Sequence, residues 1–210
     1  MRSFAESAVR FSAALAVCTL IATGCNKHAD NTLNFTNAIN TYYSTHPACL
    51  WPTSTQFPAQ VSTSDTDKTA PYDALVDQGL LARTTAEKKV MIIASKQVTN
   101  YDLAEKGRAA WTPDVNQPGF GNFCYGHRKV LGIENVAPSP TSDAVGATAQ
   151  ITYRYGFVDP PAWAIATETQ NAFPNLRNEL SGSHVGQATL TNTPNGWAVT
   201  SPSAAPYRHG

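Results

Sequence analysis

Residues 150–157 read Gln-Ile-Thr-Tyr-Arg-Tyr-Gly-Phe, and their apolar and polar side chains alternate with a period of two. One face carries Ile151, Tyr153, Tyr155 and Phe157, and the other face carries polar residues. Because successive side chains of a strand point to opposite faces, this segment predicts a β-strand with one buried face. We expect its aromatic stripe to pack in the core, and a ligand groove beneath a helix is the alternative.

Further strand signals extend this segment into an antiparallel sheet. Residues 119–133 alternate in the same way, which predicts a long strand with its odd-numbered side chains on one face. Residues 187–191 and 197–200 form a closing hairpin, turned by Thr-Pro-Asn-Gly at residues 193–196. The second half of the chain is therefore predicted to be rich in β-strands.

A first helix is predicted by an apolar stripe at helical spacing. The stripe consists of Phe35, Ala38, Ile39, Tyr42, Tyr43 and His46. Asn31 or Thr32 can cap the start of this helix, and Pro47 ends it. The polar residues 26–32 before it are predicted to be a short tether, which would reach about 25 Å if fully extended.

A second helix is predicted over residues 70–78. Thr69 is placed to cap its start, and Tyr72 and Leu75 fall on its inner face. Gly79 follows at the position where helices commonly end in a left-handed residue.

Two strands follow this helix. Residues 89–95 and 98–103 are predicted to pair across a polar turn at Lys96 and Gln97. The helix end Leu-Val-Asp-Gln-Gly-Leu-Leu followed by these strands resembles winged-helix domains, in which a β-wing is closed by Tyr-x-Leu-x-x-x-Gly. The matching residues here are Tyr101, Leu103 and Gly107. The resemblance implies a small β-wing.

Short helices are predicted after the strand at 150–157. Asp-Pro-Pro at residues 159–161 is typical of a cap and first helical turn, and it precedes Trp163. Thr-Glu-Thr-Gln at residues 167–170 matches the capping box, and Pro174 forces a kink or a new helix start.

These elements together predict an α+β fold. N-terminal helices with a small β-wing pack on a curved antiparallel sheet of about four strands, which one or two helices cover. We place a helical, winged-helix-like part at residues 33–115, a β-rich part at 116–201 and a disordered tail at 202–210.

The N-terminus is typical of an exported protein. Residues 1–24 contain an apolar run of 12 residues at 11–22, which is too short to span a bilayer. The run leads into Ala-Thr-Gly-Cys at residues 22–25, which resembles a bacterial lipobox. The resemblance implies that the signal is removed and that Cys25 becomes the first mature residue, carrying a thioether-linked diacylglycerol and an N-acyl chain.

The residue after Cys25 bears on the destination of the protein. In the enteric sorting rule an Asp at this position retains lipoproteins at the inner membrane, whereas this chain has Asn26. The resemblance therefore implies an outer-membrane location, on either face. Several acyl chains anchor a protein stably, because each buried methylene contributes about 0.8 kcal/mol. We expect the membrane to be a partner through this anchor.

The charge balance bears on the class of partner. The chain has 15 Lys and Arg against 15 Asp and Glu, and loss of Arg2, Arg10 and Glu6 with the signal leaves a net charge of −1. No basic surplus remains to neutralise phosphates, and an exported protein does not meet the chromosome. We therefore expect no nucleic-acid partner.

Two cysteines remain once Cys18 leaves with the signal and Cys25 carries lipid. In an oxidising compartment Cys49 and Cys124 most simply form a disulfide. The alternative is that Cys124 is a nucleophile activated by the nearby His127.

Sequence motifs for other chemistry were not found. The five histidines are scattered, with no His-x-x-x-His pair, and the chain has no Gly-x-Ser-x-Gly elbow, P-loop or Gly-x-Gly-x-x-Gly. We expect no catalytic residue, no cofactor and no metal. The histidines are His28, His46, His127, His184 and His209.

A wider pattern resembles a group of uncharacterised proteobacterial lipoproteins. It includes Tyr-Asp-Leu-x-x-x-Gly at residues 101–107, Phe-Cys-x-Gly at 123–126 and Tyr-x-Tyr-x-x-x-Asp-x-x-x-Trp-Ala at 153–164. The resemblance covers most of the mature chain and brings no activity with it.

Three functions fit these observations. We expect a non-catalytic outer-membrane lipoprotein that binds an envelope protein or a small envelope ligand. The first alternative is a hydrolase acting on cell-wall material, which requires His127 or His184 to meet a Ser, Cys or Asp in a cleft. The second alternative is a passive surface antigen.

Overall fold

The computed structural model describes residues 27–91, 94–138 and 144–204. The predicted signal and lipidation site (residues 1–25) and residues 205–210 lie outside the described residues. No helix in the described part of the chain is long and apolar enough to cross a membrane.

The described residues form six helices and ten strands. The helices are α1 (Lys27–Thr45), α2 (Thr66–Asp77), α3 (Glu105–Ala110), α4 (Ala162–Ile165), α5 (Thr167–Ala172) and α6 (Pro174–Leu180). The strands are β1 (Ala48–Cys49), β2 (Thr55–Gln56), β3 (Ala59–Ser62), β4 (Leu81–Met91), β5 (Ala94–Leu103), β6 (Trp111–Pro113), β7 (Phe120–Ala137), β8 (Thr148–Val158), β9 (His184–Thr193) and β10 (Gly196–Ala204).

The strands form two antiparallel sheets. The larger sheet has the order β1-β7-β8-β9-β10, and the short strands β2 and β6 also pair with β7. The smaller sheet has the order β3-β5-β4, in which β3 precedes α2 and the paired strands β4 and β5 follow it as a β-wing. Helices packed on a curled antiparallel sheet with four long strands confirm the predicted α+β fold.

Strand β8 lies inside the larger sheet and contains the segment at 150–157. Ile151, Tyr153 and Tyr155 are buried, whereas Gln150 and Arg154 are exposed. The predicted alternation is therefore confirmed. Its buried face packs in the core between the sheet and α1, as expected.

Strand β7 departs from the predicted alternation at Gly126, which has a φ of 142°. A β-bulge opposite β1 inserts one extra residue here and reverses the face of the side chains that follow, and two further register shifts lie between Val130 and Gly132 and between Ile133 and Asn135. Tyr125 is buried before the bulge, whereas Val130 is buried after it. The prediction of one continuous odd-numbered face is thus wrong, and Leu131 is 58% exposed.

Helix α1 carries the predicted apolar stripe toward the larger sheet. Its buried residues include Phe35, Ala38, Ile39 and Tyr43. The helix begins at Lys27, before the predicted caps at Asn31 and Thr32, so most of the predicted tether at 26–32 is helical.

Helix α2 starts four residues earlier than predicted. The Asp65 side chain caps it by accepting a hydrogen bond from the Lys68 backbone N–H at 3.3 Å. Thr69, the predicted cap, lies within the helix. A stronger cap upstream therefore displaced the predicted start.

The C-terminal end of α2 follows the prediction. Gly79 has a φ of 71°, and its N–H donates to the Val76 carbonyl at 2.8 Å. The next N–H, of Leu80, donates to the Leu75 carbonyl at 2.9 Å. These two bonds form the Schellman motif, which lets Leu80 fold back into the core.

The β-wing is longer than predicted. Lys96 and Gln97 lie within β5 and pair with Lys88 and Glu87 of β4, so the predicted turn at these residues is wrong. Residues 82–89 are all exposed, and an exposed ribbon has no hydrophobic period to reveal its extent.

The helices after β8 are only partly as predicted. Pro174 begins α6, which confirms a new helix start, and Trp163 of α4 is buried. The capping box at 167–170 does not form, because Ala166 precedes α5 and no side chain caps it. Thr169 is instead fully buried, and its hydroxyl has no hydrogen-bond partner among the described residues.

The hydrophobic core consists of two clusters. One lies between α1 and strands β7 to β10, and the other joins the wing and α2 to helices α4 to α6. Phe157 packs against both clusters. By its contacts α1 belongs with the larger sheet, although its sequence lies in the part placed at residues 33–115.

The packing of α3 on the helix-wing junction gives a test of this fold. A Cβ added to Gly107 would lie 1.8 Å from the Leu80 carbonyl oxygen, so the backbone must shift. Gly107→Ala should lower the free energy of unfolding by more than about 2 kcal/mol, measured by urea denaturation. Gly132→Ala is the matched control, since nothing lies within 4 Å of its Cβ position. Equal stability of the two variants would contradict this packing.

Candidate binding groove

The predicted disulfide is present between Cys49 and Cys124. The two residues are directly opposed in the β1–β7 pair, so the bond joins the exit of α1 to the first long strand of the sheet. It closes a loop of 75 residues, and chain-entropy arithmetic gives about 4.5 kcal/mol as an upper figure. Cys124 is thereby occupied in a structural bond rather than held as a thiol beside His127.

The histidines that a hydrolase would need are bonded to backbone carbonyls. His127 Nδ1 lies 2.9 Å from the Tyr43 oxygen, and His184 Nε2 lies 2.9 Å from the Glu179 oxygen. A carbonyl only accepts, so each of these ring nitrogens carries its proton. No group of three or more His, Cys, Asp or Glu side chains that could hold a metal occurs in the ranges that the structure describes.

A buried ion pair lies near these histidines. Arg128 Nη2 donates to Glu179 Oε2 at 3.0 Å, and their side chains are only 26% and 13% exposed. The guanidinium also lies 5.4–5.6 Å from the ring centroids of Tyr43, Tyr155 and Phe157. Burial works against its charge, but Glu179 together with Tyr155 and Tyr43 outweighs this effect, and the pKa of Arg128 is raised. The cation therefore fastens α1 and α6 to the sheet.

Two buried tyrosines complete this arrangement. The hydroxyls of Tyr43 on α1 and Tyr153 on β8 are 2.6 Å apart and hydrogen-bonded to each other. Burial is the main cause that raises the pKa of both phenols. Because Tyr43 fills the space over β8, the aromatic stripe of β8 packs against α1 and does not line a groove beneath it.

A groove lies instead along the other side of α1, where the β9–β10 hairpin approaches the helix. It has a volume of about 680 Å³. Helix α1 contributes chiefly Asn34, Asn37, Thr41 and Tyr42. The hairpin contributes chiefly Asn192, Asn195, Trp197 and Val199. We call this site the α1–β10 groove.

The α1–β10 groove combines aromatic rings with neutral polar groups. Trp197 is half-buried, and its ring meets Phe35 edge to face at a centroid distance of 4.9 Å. Tyr42 is also half-buried and stacks on His46 at 4.0 Å. Among the described residues, those that line the groove carry amides and hydroxyls. None of them is an aspartate, glutamate, lysine, arginine or histidine. Such a groove suits an uncharged ligand with apolar and polar faces.

Comparison with protein-family models, with curated proteins and with solved structures finds no match to this chain.

None of the groove residues was predicted from the sequence to be part of a site. A signal was present, because Asn34, Asn37, Thr41 and Thr45 recur at helical spacing beside the apolar stripe of α1. A polar uncharged stripe is also common on solvated helices. Only the approach of the β9–β10 hairpin, more than 140 residues away in sequence, turns it into one wall of a groove.

The buried phenols predict alkaline sensitivity. Burial raises the pKa of Tyr101 to about 12, and that of Tyr43 and Tyr153 is also raised, whereas unfolded tyrosines ionise near pH 10. The unfolded chain therefore loses protons first as the pH rises. Stability should be constant up to about pH 9 and then fall by up to about 1.4 kcal/mol per pH unit for each such phenol.

Urea unfolding at a series of pH values from 8 to 11 measures this slope. The double variant Tyr43→Phe/Tyr153→Phe should have a shallower slope and almost unchanged stability at pH 7, since both partners of one hydrogen bond are removed. A stability that stays constant through pH 11 in the unsubstituted protein would contradict the burial of these phenols.

Proposed function

We propose that the chain is a lipid-anchored lipoprotein of the bacterial outer membrane that binds an envelope component and does not catalyse a reaction. The anchor part of the proposal rests on the lipobox-like Ala-Thr-Gly-Cys at residues 22–25 and on Asn26 after it. Acylation of Cys25 would supply stable membrane attachment without a spanning helix.

The observation that carries the binding role is the α1–β10 groove. It is an open site that presents half-buried aromatic rings together with exposed side-chain amides. Partly exposed aromatic rings beside polar side chains are common where a ligand docks. This groove favours a specific binding role over a passive surface antigen.

The cysteine and the two histidines that a hydrolase would need support binding rather than hydrolysis. Cys124 is held in the disulfide, and both His127 and His184 donate to backbone carbonyls. Hydrolysis by a histidine-activated nucleophile also needs the second ring nitrogen to contact a Ser, Cys or Asp side chain, and no hydrogen bond of His127 or His184 in the described residues joins such a side chain. The hydrolase alternative therefore has little support from the described residues.

The groove would lie close to the membrane. Helix α1 begins two residues after Cys25, and Asn34, the first groove residue, lies seven residues further along the helix. At 1.5 Å per residue this is about 10 Å. A ligand would therefore be held near the surface to which the protein is anchored.

Photo-crosslinking in living cells tests the proposal. A benzophenone amino acid at Asn37 on the groove should capture an envelope component, whereas the same probe at Asn178, on the exposed face of α6, should not. Cells fed an alkyne-labelled fatty acid should label the protein, and Cys25→Ser should abolish both the lipid label and the capture.

Two results would contradict the proposal. Lipid label that persists in Cys25→Ser would rule out this anchor. Equal capture by the benzophenone probes at Asn37 and Asn178 would rule out a binding role for the groove.

A further inference from the structure

We propose that the α1–β10 groove binds a neutral saccharide chain, held by the aromatic faces of Trp197 and Tyr42 and by the amides of Asn34, Asn37 and Asn195. This inference rests on the proposed binding function and names the class of ligand. Four features of the groove carry it: aromatic surface, amide groups, absence of charge and length.

Aromatic side chains line the groove from both of its walls. Tyr42 comes from α1 and Trp197 from β10, and each residue is partly buried. The C–H faces of a sugar ring are apolar and flat, and they pack on such rings while the hydroxyls at the edge remain free. Contact with Phe35 already holds the Trp197 ring in place, so a ligand would lose little entropy in ordering it.

Side-chain amides lie beside these rings. Asn34, Asn37 and Asn195 are exposed, and their side chains have no hydrogen-bond partner within the part of the chain that is described. An amide has two donor hydrogens and an acceptor oxygen, and a sugar hydroxyl both donates and accepts. One Asn can therefore bond two adjacent hydroxyls, which neither a hydrocarbon nor a simple anion offers.

The absence of charge selects against other envelope ligands. Phosphate-bearing headgroups and anionic glycans would require lysine or arginine, and an acidic or basic peptide would require its counter-charge. The described lining residues carry neither sign at neutral pH. Aromatic rings, amides and hydroxyls without charge match a neutral saccharide.

The length of the groove indicates an extended ligand. The α1 wall runs from Asn34 to Thr45, and eleven residues at 1.5 Å each give about 16 Å. This exceeds one sugar ring and accommodates several linked rings. The groove is partly open to solvent, so a chain can enter without passing through a closed pocket.

Calorimetric titration of the full-length protein in mild detergent tests the inference. A neutral N-acetylglucosamine tetramer should bind, and a sulfated oligosaccharide of similar length should not. Asn34→Ala and Asn37→Ala should each weaken binding about three- to tenfold, because each removes one or two neutral hydrogen bonds. Asn178→Ala is the matched control, an exposed helical Asn away from the groove, and it should bind like the unsubstituted protein.

Trp197 provides a second test through the apolar contact. Trp197→Ala should weaken binding at least tenfold, and Trp197→Phe should weaken it less because an aromatic face remains. Since Trp197 also contacts Phe35, the thermal midpoint of each variant is measured alongside. The exposed Asn34 and Asn37 variants keep the test decisive if Trp197→Ala fails to fold.

Two further arms identify the source of the saccharide. Co-sedimentation with purified cell-wall sacculi tests the wall glycan, and binding to delipidated neutral surface polysaccharide tests the alternative. Groove-dependent binding in either arm supports the inference and names the source.

Two outcomes overturn the inference. One is no binding to the tetramer, the sacculi or the polysaccharide. The other is binding that the Asn34, Asn37 and Trp197 variants leave unchanged. If either outcome is found while a probe at Asn37 still captures an envelope component in cells, the saccharide assignment is wrong and the binding role stands.

Discussion

The packing of α1 on the larger sheet is the constraint on which the rest of the structure depends. The apolar stripe of the helix covers the sheet, and three polar contacts fix its position. Tyr43 bonds the Tyr153 hydroxyl, Asn40 accepts the Val130 backbone N–H at 2.9 Å, and His127 donates to the Tyr43 carbonyl. Buried polar bonds add little net stability, but they exclude other registers because a slip would leave them unpaired. The same position of α1 on the sheet places the polar edge of the helix beside the β9–β10 hairpin, and the groove lies between them.

Much of the fold follows from local patterns in the sequence. The alternation at residues 150–157, the αL glycine at Gly79 and the new helix at Pro174 each have a local physical cause, and each was predicted. The bulge at Gly126 was not, because the apolar and polar residues of β7 continue to alternate across it while the backbone changes face. The capping box at 167–170 failed because α5 starts at Thr167, which leaves the extended Ala166 at the cap position, and alanine has no side-chain acceptor.

The candidate site was less predictable than the fold. The disulfide followed from counting cysteines in an oxidising compartment, which needs no knowledge of the fold. The groove needs α1 and the hairpin to meet across more than 140 residues, and neither carries a motif by itself. Arg128 lies within β7 among alternating residues, and only the bulge before it turns its side chain toward Glu179 and the three rings.

The central claim is that the groove formed by seating α1 on the sheet is the binding surface of an anchored protein. The most direct measurement is a nuclear magnetic resonance titration of the full-length, isotope-labelled protein with a neutral N-acetylglucosamine tetramer. The account predicts shifts in the Trp197 indole N–H and in the side-chain amides of Asn34 and Asn37, with the resonances of α6 unchanged. Shifts confined to the wing or to α6, or no shifts at all, would contradict it.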